Sequence, residues 1–280
     1  MKPKSQITNH KSQILPSRLA ETFRNAREQG RAVFIPYLTA GDPSADATVS
    51  LAAALDRAGA EILELGVPFS DPIADGPVLQ QAASRALASG TTLAGVFEMA
   101  QQIRQKTRLS LVLFSYLNPL LRRGLGRAAD EARQSGFDAI LVTDLPADEA
   151  AEAHACFRAA GLETVFLASP TSTPARMAGA ARLSSGFLYV VSRPGTTGAR
   201  QRLPADLART VARARKASGK LPIAIGFGIA SAQAAAEAAR LADGVVVGSE
   251  LVRRAAEAGD SRRPEVEAFA RSLAAACRRT

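Results

Sequence analysis

From Ala32 onward, short β-branched or apolar runs alternate with longer alanine-rich stretches in which apolar positions recur at helical spacing. That alternation marks repeated strand–helix units around a parallel sheet. Eight runs read as buried strands, over residues 33–38, 62–65, 111–114, 139–142, 164–167, 187–191, 223–225 and 245–247, each followed by a loop and a helical pattern. Eight repeats predict an α/β fold closed into a (β/α)8 barrel. No linker or break in composition divides the chain after Ala32, so residues 17–280 read as one barrel domain. Residues 1–16 read as a polar leader: they carry lysines but neither an apolar core nor a small-residue cleavage site, which argues against a secretory signal.

The runs end on glycine or polar punctuation, as in Thr39-Ala40-Gly41-Asp42-Pro43, Gly66-Val67-Pro68, Thr143-Asp144, Gly226-Phe227-Gly228 and Gly248-Ser249. In such a barrel these positions form the C-terminal face, where active sites are built. Two of the loops are long enough to act as lids. Residues 69–77 are rich in Asp, Pro and Gly, and residues 192–204 contain Gly195-Thr196-Thr197-Gly198.

Composition narrows the function more by exclusion than by suggestion. With 47% hydrophobic and 22% charged residues the chain is globular, and no apolar run approaches a membrane span. The net charge of +9 raises nucleic acid as a partner. The arginines are nevertheless scattered along alanine-rich helices, as at Arg209, Arg213, Arg215 and Arg240, without interleaved aromatics, so solvated helix faces are the better reading. Two cysteines, Cys156 and Cys277, are too few and too poorly spaced for a disulfide framework or a zinc site, and they fit a reducing cytoplasm. His10 lies in the leader and His154 in a helical pattern, which leaves carboxylates and tyrosines as proton carriers.

Within Glu61-Ile62-Leu63-Glu64-Leu65-Gly66, strand alternation puts Glu64 on the same face as Ile62, and Glu61 with Leu63 on the other. If the Glu64 face is the interior, desolvation raises its pKa toward the range useful for proton transfer; the alternative is a structural carboxylate paired with an arginine. Asp71 and Asp75, in Ser70-Asp71-Pro72-Ile73-Ala74-Asp75-Gly76-Pro77, lie at the same mouth, either to stabilise developing positive charge or as turn formers and caps. Gly228, Gly248 and Ser249 follow the seventh and eighth strands, where barrels bind phosphate. A helix starting at Ser249 adds its N-terminal N–H groups, with Ser249 free to cap it as well. Tyr37 and Tyr189 either line a pocket for a flat ring or pack the core.

Taken together, residues 36–43, 64–77 and 226–229 resemble tryptophan synthase α chains, and the resemblance continues in order through Tyr116-Leu117-Asn118-Pro119, Thr143-Asp144-Leu145-Pro146, Ala168-Ser169-Pro170-Thr171, residues 192–198 and Val247-Gly248-Ser249. It covers roughly Leu19 to Cys277. The resemblance implies a retro-aldol cleavage of indole-3-glycerol phosphate to indole and glyceraldehyde 3-phosphate, with Glu64 as general acid and base and Asp75 holding the indole N–H. It also implies Tyr37, Tyr189 and Thr197 at the substrate, Gly198, Gly228, Gly248 and Ser249 at the phosphate, and Asp71, Pro72 and Gly195 toward a β subunit in an α2β2 complex. No cofactor is implied for this chain, the family's pyridoxal phosphate belonging to the β subunit. Pro194 in the second lid and the leader before Pro16 depart from the family's pattern. A free-standing indole-releasing lyase, another phosphate-sugar barrel and a non-catalytic binding subunit are the competing readings.

Overall fold

In the computed structural model, which describes residues 17–192, 203–226, 228–258 and 263–279, the expected strand periodicity closes on itself. The strands are β1 (Val33–Thr39), β2 (Ile62–Gly66), β3 (Ser110–Ser115), β4 (Ala139–Val142), β5 (Glu163–Ala168), β6 (Leu188–Val191), β7 (Ile223–Gly226) and β8 (Gly244–Val247). All pair in parallel and in sequence order, and β8 returns to β1 through Phe34↔Val245 and Ile35↔Val246. The eight expected runs and the observed strands agree to within one or two residues at each end.

Side-chain alternation sorts each strand between two apolar compartments. Val33, Ile35 and Tyr37 of β1, Ile62 of β2, Val112 and Phe114 of β3, and Tyr189 and Val191 of β6 fill the interior. Their neighbours Phe34, Leu38, Leu63, Leu65, Leu111, Leu113, Leu188 and Val190 face the surrounding helices. Those helices are α2 (Ala45–Arg57), α3 (Pro77–Ala88), α4 (Leu93–Lys106), α5 (Leu117–Arg123), α6 (Leu125–Gln134), α7 (Ala151–Ala159), α8 (Pro174–Leu183), α9 (Leu207–Ser218), α10 (Ala232–Leu241), α11 (Ser249–Ala258) and α12 (Arg263–Ala276). Their buried faces are alanine-rich, as with Ala234, Ala235, Ala238 and Ala239 of α10, so helix axes approach the sheet closely. Several start on a side-chain cap: Ser44 accepts from Ala47 N–H at 3.1 Å, Thr92 from Gly95 at 3.2 Å and Ser231 from Ala234 at 3.2 Å.

A preceding helix, α1 (Arg18–Glu28), closes the N-terminal end of the barrel. It sends Leu19, Phe23 and Ala26 into the interior compartment, where the Phe23 ring lies 5.6 Å from that of Phe187. At this end the acidic side chains are structural. Asp138, ahead of β4, accepts from Leu111 N–H at 2.8 Å and pairs with Arg104, while Asp243, ahead of β8, accepts from Ile223 N–H at 2.9 Å and pairs with Arg215 at 2.6 Å. Glu61, at the entry to β2, makes a bidentate pair with Arg31. Two of the arginines expected on solvated faces are therefore clasps: Arg215 holds Asp243, and Arg213 donates to the Pro170 carbonyl at 3.1 Å and to that of Ser172. No described helix is long and apolar enough to cross a membrane.

Candidate active site

Strand register brings the interior-facing polar residues together near the C-terminal end of the barrel. Tyr37 and Glu64 are direct partners across β1 and β2, and Glu64 is level with Val112 on β3. Tyr189 stands on β6 opposite Ala224 of β7. The two phenols fit because the neighbouring strand ends on glycine. A Cβ on Gly66 would lie 2.1 Å from the Tyr37 hydroxyl, and one on Gly226 would lie 1.9 Å from that of Tyr189. These rings are walls as well as packing, since Tyr37 meets Phe114 edge-on at 5.0 Å and both phenols border the cavity described below. Gly226→Ala is expected to displace the Tyr189 ring and destabilise the fold by about 1–3 kcal/mol through overpacking, read as a fall in Tm together with loss of substrate affinity.

Glu64 is buried on the inward face with Ile62, and its Oε1 has no hydrogen-bond partner among the described residues. The structural alternative required an arginine, and no described arginine pairs with it. With no counter-charge to offset desolvation, burial pushes its carboxyl up to about 8. An uncompensated buried carboxyl is costly to keep, and this one lies on the wall of a cavity.

Asp75 sits on the β2–α3 loop and is also buried. It is not the cap of α3, which begins on Gly76 followed by Pro77. Its Oδ2 accepts from the Tyr116 hydroxyl at 3.2 Å, and its backbone carbonyl accepts from Gln80 Nε2 at 2.9 Å. Burial raises its carboxyl to about 6, with the Tyr116 hydrogen bond opposing the rise. Asp71, further out on the same loop, accepts from the Ser70 hydroxyl at 2.6 Å, and Pro72 follows it. Tyr116 is the functional neighbour that sequence reading missed. Its motif was visible, but a contact spanning 41 positions leaves no local periodicity to read.

A cavity opens at this end, lined by Tyr37, Glu64, Leu79, Phe114, Tyr189, Gly228, Ile229, Val246, Gly248 and Ser249. One part is apolar and aromatic around Glu64. The other lies against Gly228, which has φ 85°, a conformation that glycine adopts without penalty, and against the start of α11. Gly248 O accepts from Val252 N–H at 3.0 Å, so the helix begins at that glycine. The first N–H groups of such a helix have no intrahelical acceptor and favour an anion. Asp75 is not among the lining residues of this cavity. It lies beside the Tyr116 hydroxyl and near enough to Tyr37 for its charge to help hold that phenol protonated. Gly195, Thr197 and Gly198, together with Pro194, lie outside the described residues.

A buried carboxyl facing an apolar slot, a second buried carboxyl on the following loop and a helix N-terminus beyond form an arrangement suited to acid–base chemistry on an apolar ring with an anionic tail. The family model described as tryptophan synthase alpha chain matches residues 23–278. Among similar chains, the tryptophan synthase alpha chain of Citrifermentans bemidjiense is 48% identical over 237 residues, 85% of this chain and 88% of that one. That of Solibacter usitatus is 47% identical over 259 residues, 92% and 97% of the two chains. Among solved structures, Mycobacterium tuberculosis tryptophan synthase superposes with a TM-score of 0.87 at 35% identity, covering 94% of this chain and 99% of that one. The tryptophan synthase subunit alpha of Legionella pneumophila gives 0.86 at 36% identity, covering 94% and 99%. The chain belongs to the tryptophan synthase alpha chain family.

Proposed function

We propose that Glu64 and Asp75 carry out the retro-aldol cleavage of indole-3-glycerol phosphate in this chain, releasing indole and glyceraldehyde 3-phosphate. As a member of its family the chain is a carbon–carbon lyase of tryptophan biosynthesis. The observation that supports the residue assignment best is Glu64 itself: buried, without a counter-ion, on the wall of a cavity that also touches a helix N-terminus. With its carboxyl raised to about 8, Glu64 holds a proton at neutral pH. It gives that proton to indole C3, and the ring takes up positive charge at its nitrogen. The resulting carboxylate accepts the proton of the glycerol hydroxyl next to the ring as the carbon–carbon bond breaks. That bond's electron pair returns to the ring, a carbonyl forms on the departing triose, and Glu64 ends as it began.

Asp75 answers the charge at the ring nitrogen. Tyr37 and Tyr189 flank the indole with Thr197 also at the substrate, and Gly228, Gly248 and Ser249, with Gly198 from the second lid, hold the phosphate end. Because Asp75 must be ionised and Glu64 protonated, activity is expected to fall as pH drops through about 6 and again as pH rises through about 8. A kcat/KM profile measured from pH 5 to 9 would show this bell, and a profile flat across that range would remove both assignments.

The partner in this reading is a tryptophan synthase β subunit, with which the chain forms an α2β2 complex in the cytoplasm; the pyridoxal phosphate is the β subunit's. Asp71, Pro72 and Gly195 belong to that interface. Ile73, beside Pro72, is 76% exposed on the β2–α3 loop, next to that proposed interface. The test is indole release from indole-3-glycerol phosphate by the purified chain, alone and with a β subunit, with Glu64→Gln as control. Weak release that rises strongly with β supports the reading. High release without β makes the chain a free-standing lyase, and no release in either condition removes the assigned substrate.

A further inference from the structure

The two cavity phenols lean onto different strands. Tyr189 carries its hydroxyl across to Gly226 of β7, whereas Tyr37 carries its own onto Gly66, the last residue of β2, the strand that holds Glu64. Gly66 lies two residues beyond Glu64, so the two share the inward face, and the Tyr37 oxygen occupies the place where a side chain on Gly66 would stand. Glu64 is also the direct partner of Tyr37 across the β1–β2 ladder, and both line the same cavity. One further contact bears on where the phenol's hydrogen goes. Thr39, buried and level with Gly66, donates its hydroxyl to the Tyr37 oxygen at 3.4 Å. With Thr39 as the donor in that pair, the Tyr37 O–H is left to donate elsewhere.

We propose that Tyr37, oriented by Thr39, is a positioning residue that donates a hydrogen bond to the Glu64 carboxylate while the proton of Glu64 resides on the substrate. This rests on the preceding reading, in which Glu64 gives its proton to indole C3. The protonated carboxyl of the resting protein is neutral, and its Oε1 has no hydrogen-bond partner among the described residues. Once the proton has left, an anion stands in a buried site, where an unmet charge is most costly. The titratable groups that sense this charge are Tyr37 on β1 and Tyr189 on β6, and burial keeps both phenols protonated across the working range. Asp75, on the β2–α3 loop, is the other acid near Tyr37. Of the two phenols, Tyr37 is the one that places its oxygen over β2. Its hydrogen bond strengthens as charge builds on Glu64, and the phenol keeps its proton throughout.

Tyr37→Phe keeps the ring edge-on to Phe114 and removes the hydroxyl alone, while Thr39→Val keeps the shape of Thr39 without its donor. Indole release is measured across pH for wild type, both variants and the double variant, with Tm in parallel. The Glu64 carboxyl is titrated without substrate, by infrared difference spectroscopy of each protein against its Glu64→Gln counterpart. In Tyr37→Phe, kcat is expected to fall about tenfold or more with KM changed by less than about threefold, the range set by losing one charge-assisted hydrogen bond. The basic limb near pH 8 and the infrared titration are both expected to move to higher pH, because a carboxylate that loses a donor holds its proton more tightly. Thr39→Val is expected to lower kcat by about threefold in the wild-type background and to add nothing in Tyr37→Phe, since its effect passes through the phenol. An infrared titration and basic limb unmoved in Tyr37→Phe would overturn the proposal even with a lowered kcat, because the hydroxyl would then serve the substrate and not Glu64. Equal losses from Thr39→Val in both backgrounds would overturn the orienting role of Thr39. Wild type that releases no indole would remove the cleavage reading, whereas a shifted infrared titration in the same set of proteins would leave the hydrogen bond standing.

Discussion

Glu64→Gln is expected to lower kcat by about 10³-fold or more, near the upper range for losing a general acid and base, while KM stays close to the wild-type value. Gln matches the shape of a protonated Glu and leaves the cavity neutral, but it cannot deliver a proton to carbon or recover one from a hydroxyl. Single-turnover indole release with saturating substrate would measure the effect, and turnover within tenfold of wild type would end the assignment. The same substitution has a signature in stability that no substrate is needed to see. In the folded protein Glu64 holds its proton up to about pH 8, whereas an unfolded glutamate releases it near 4.5. Across that window the folded state binds more protons than the unfolded one, so Glu64 makes stability fall as pH rises from 4.5 through about 8, with no further loss above. Glu64→Gln removes this dependence. It is expected to match wild type near pH 5 and to exceed it by several kcal/mol at pH 9, at about 1.4 kcal/mol for each unit of separation. Denaturant unfolding at the two pH values would read the difference directly, and parallel pH dependence in the two proteins would contradict the burial of an unpaired carboxyl.

Asp75→Asn is the other large expected loss. The carboxylate faces positive charge that develops on the ring nitrogen only as C3 is protonated, so its contribution belongs to the transition state rather than to substrate binding. Opposite charges about 4 Å apart at an effective dielectric of about 20 attract by about 4 kcal/mol, which sets a ceiling of about 10³-fold. Asparagine retains a partial dipole and an acceptor for the ring N–H, so a fall in kcat of about 10²–10³-fold with a small change in KM is expected. The acid limb near pH 6 should vanish with the group that titrates there. Persistence of that limb in Asp75→Asn would assign it to another residue.

Much of this architecture is legible in the chain because strand alternation carries two kinds of information at once. The pattern Ile62-Leu63-Glu64-Leu65 says both that the run is buried on two sides and that the single carboxylate inside it shares a face with Ile62; the structure puts Ile62 in the interior compartment and Leu63 and Leu65 against the helices. Glycine punctuation placed Gly228 and Gly248 beside the start of α11 for a similarly local reason. What was not legible depends on closure. Nothing local to Tyr116 announces that its hydroxyl reaches Asp75, and nothing in the run of arginines separates Arg215, which grips Asp243, from those left in solvent. The pairing of Gly66 with Tyr37 and of Gly226 with Tyr189 is likewise a fact of neighbouring strands, invisible until register is known. Asp75 shows the limit most clearly, because sequence puts it at the right mouth but only the packed loop buries it against the Tyr116 hydroxyl.

The helix that seals the far end of the barrel also decides the traffic. With Leu19 and Phe23 packed beneath Phe187, apolar side chains among the described residues plug that end of the chamber. Substrate and both products would then share the opposite rim, where an indole left inside would block the next arrival. The exposed Ile73 belongs to the β2–α3 loop at that rim. A companion protein seated there would become the first surface that a departing indole meets, and the rim would then serve as a delivery port.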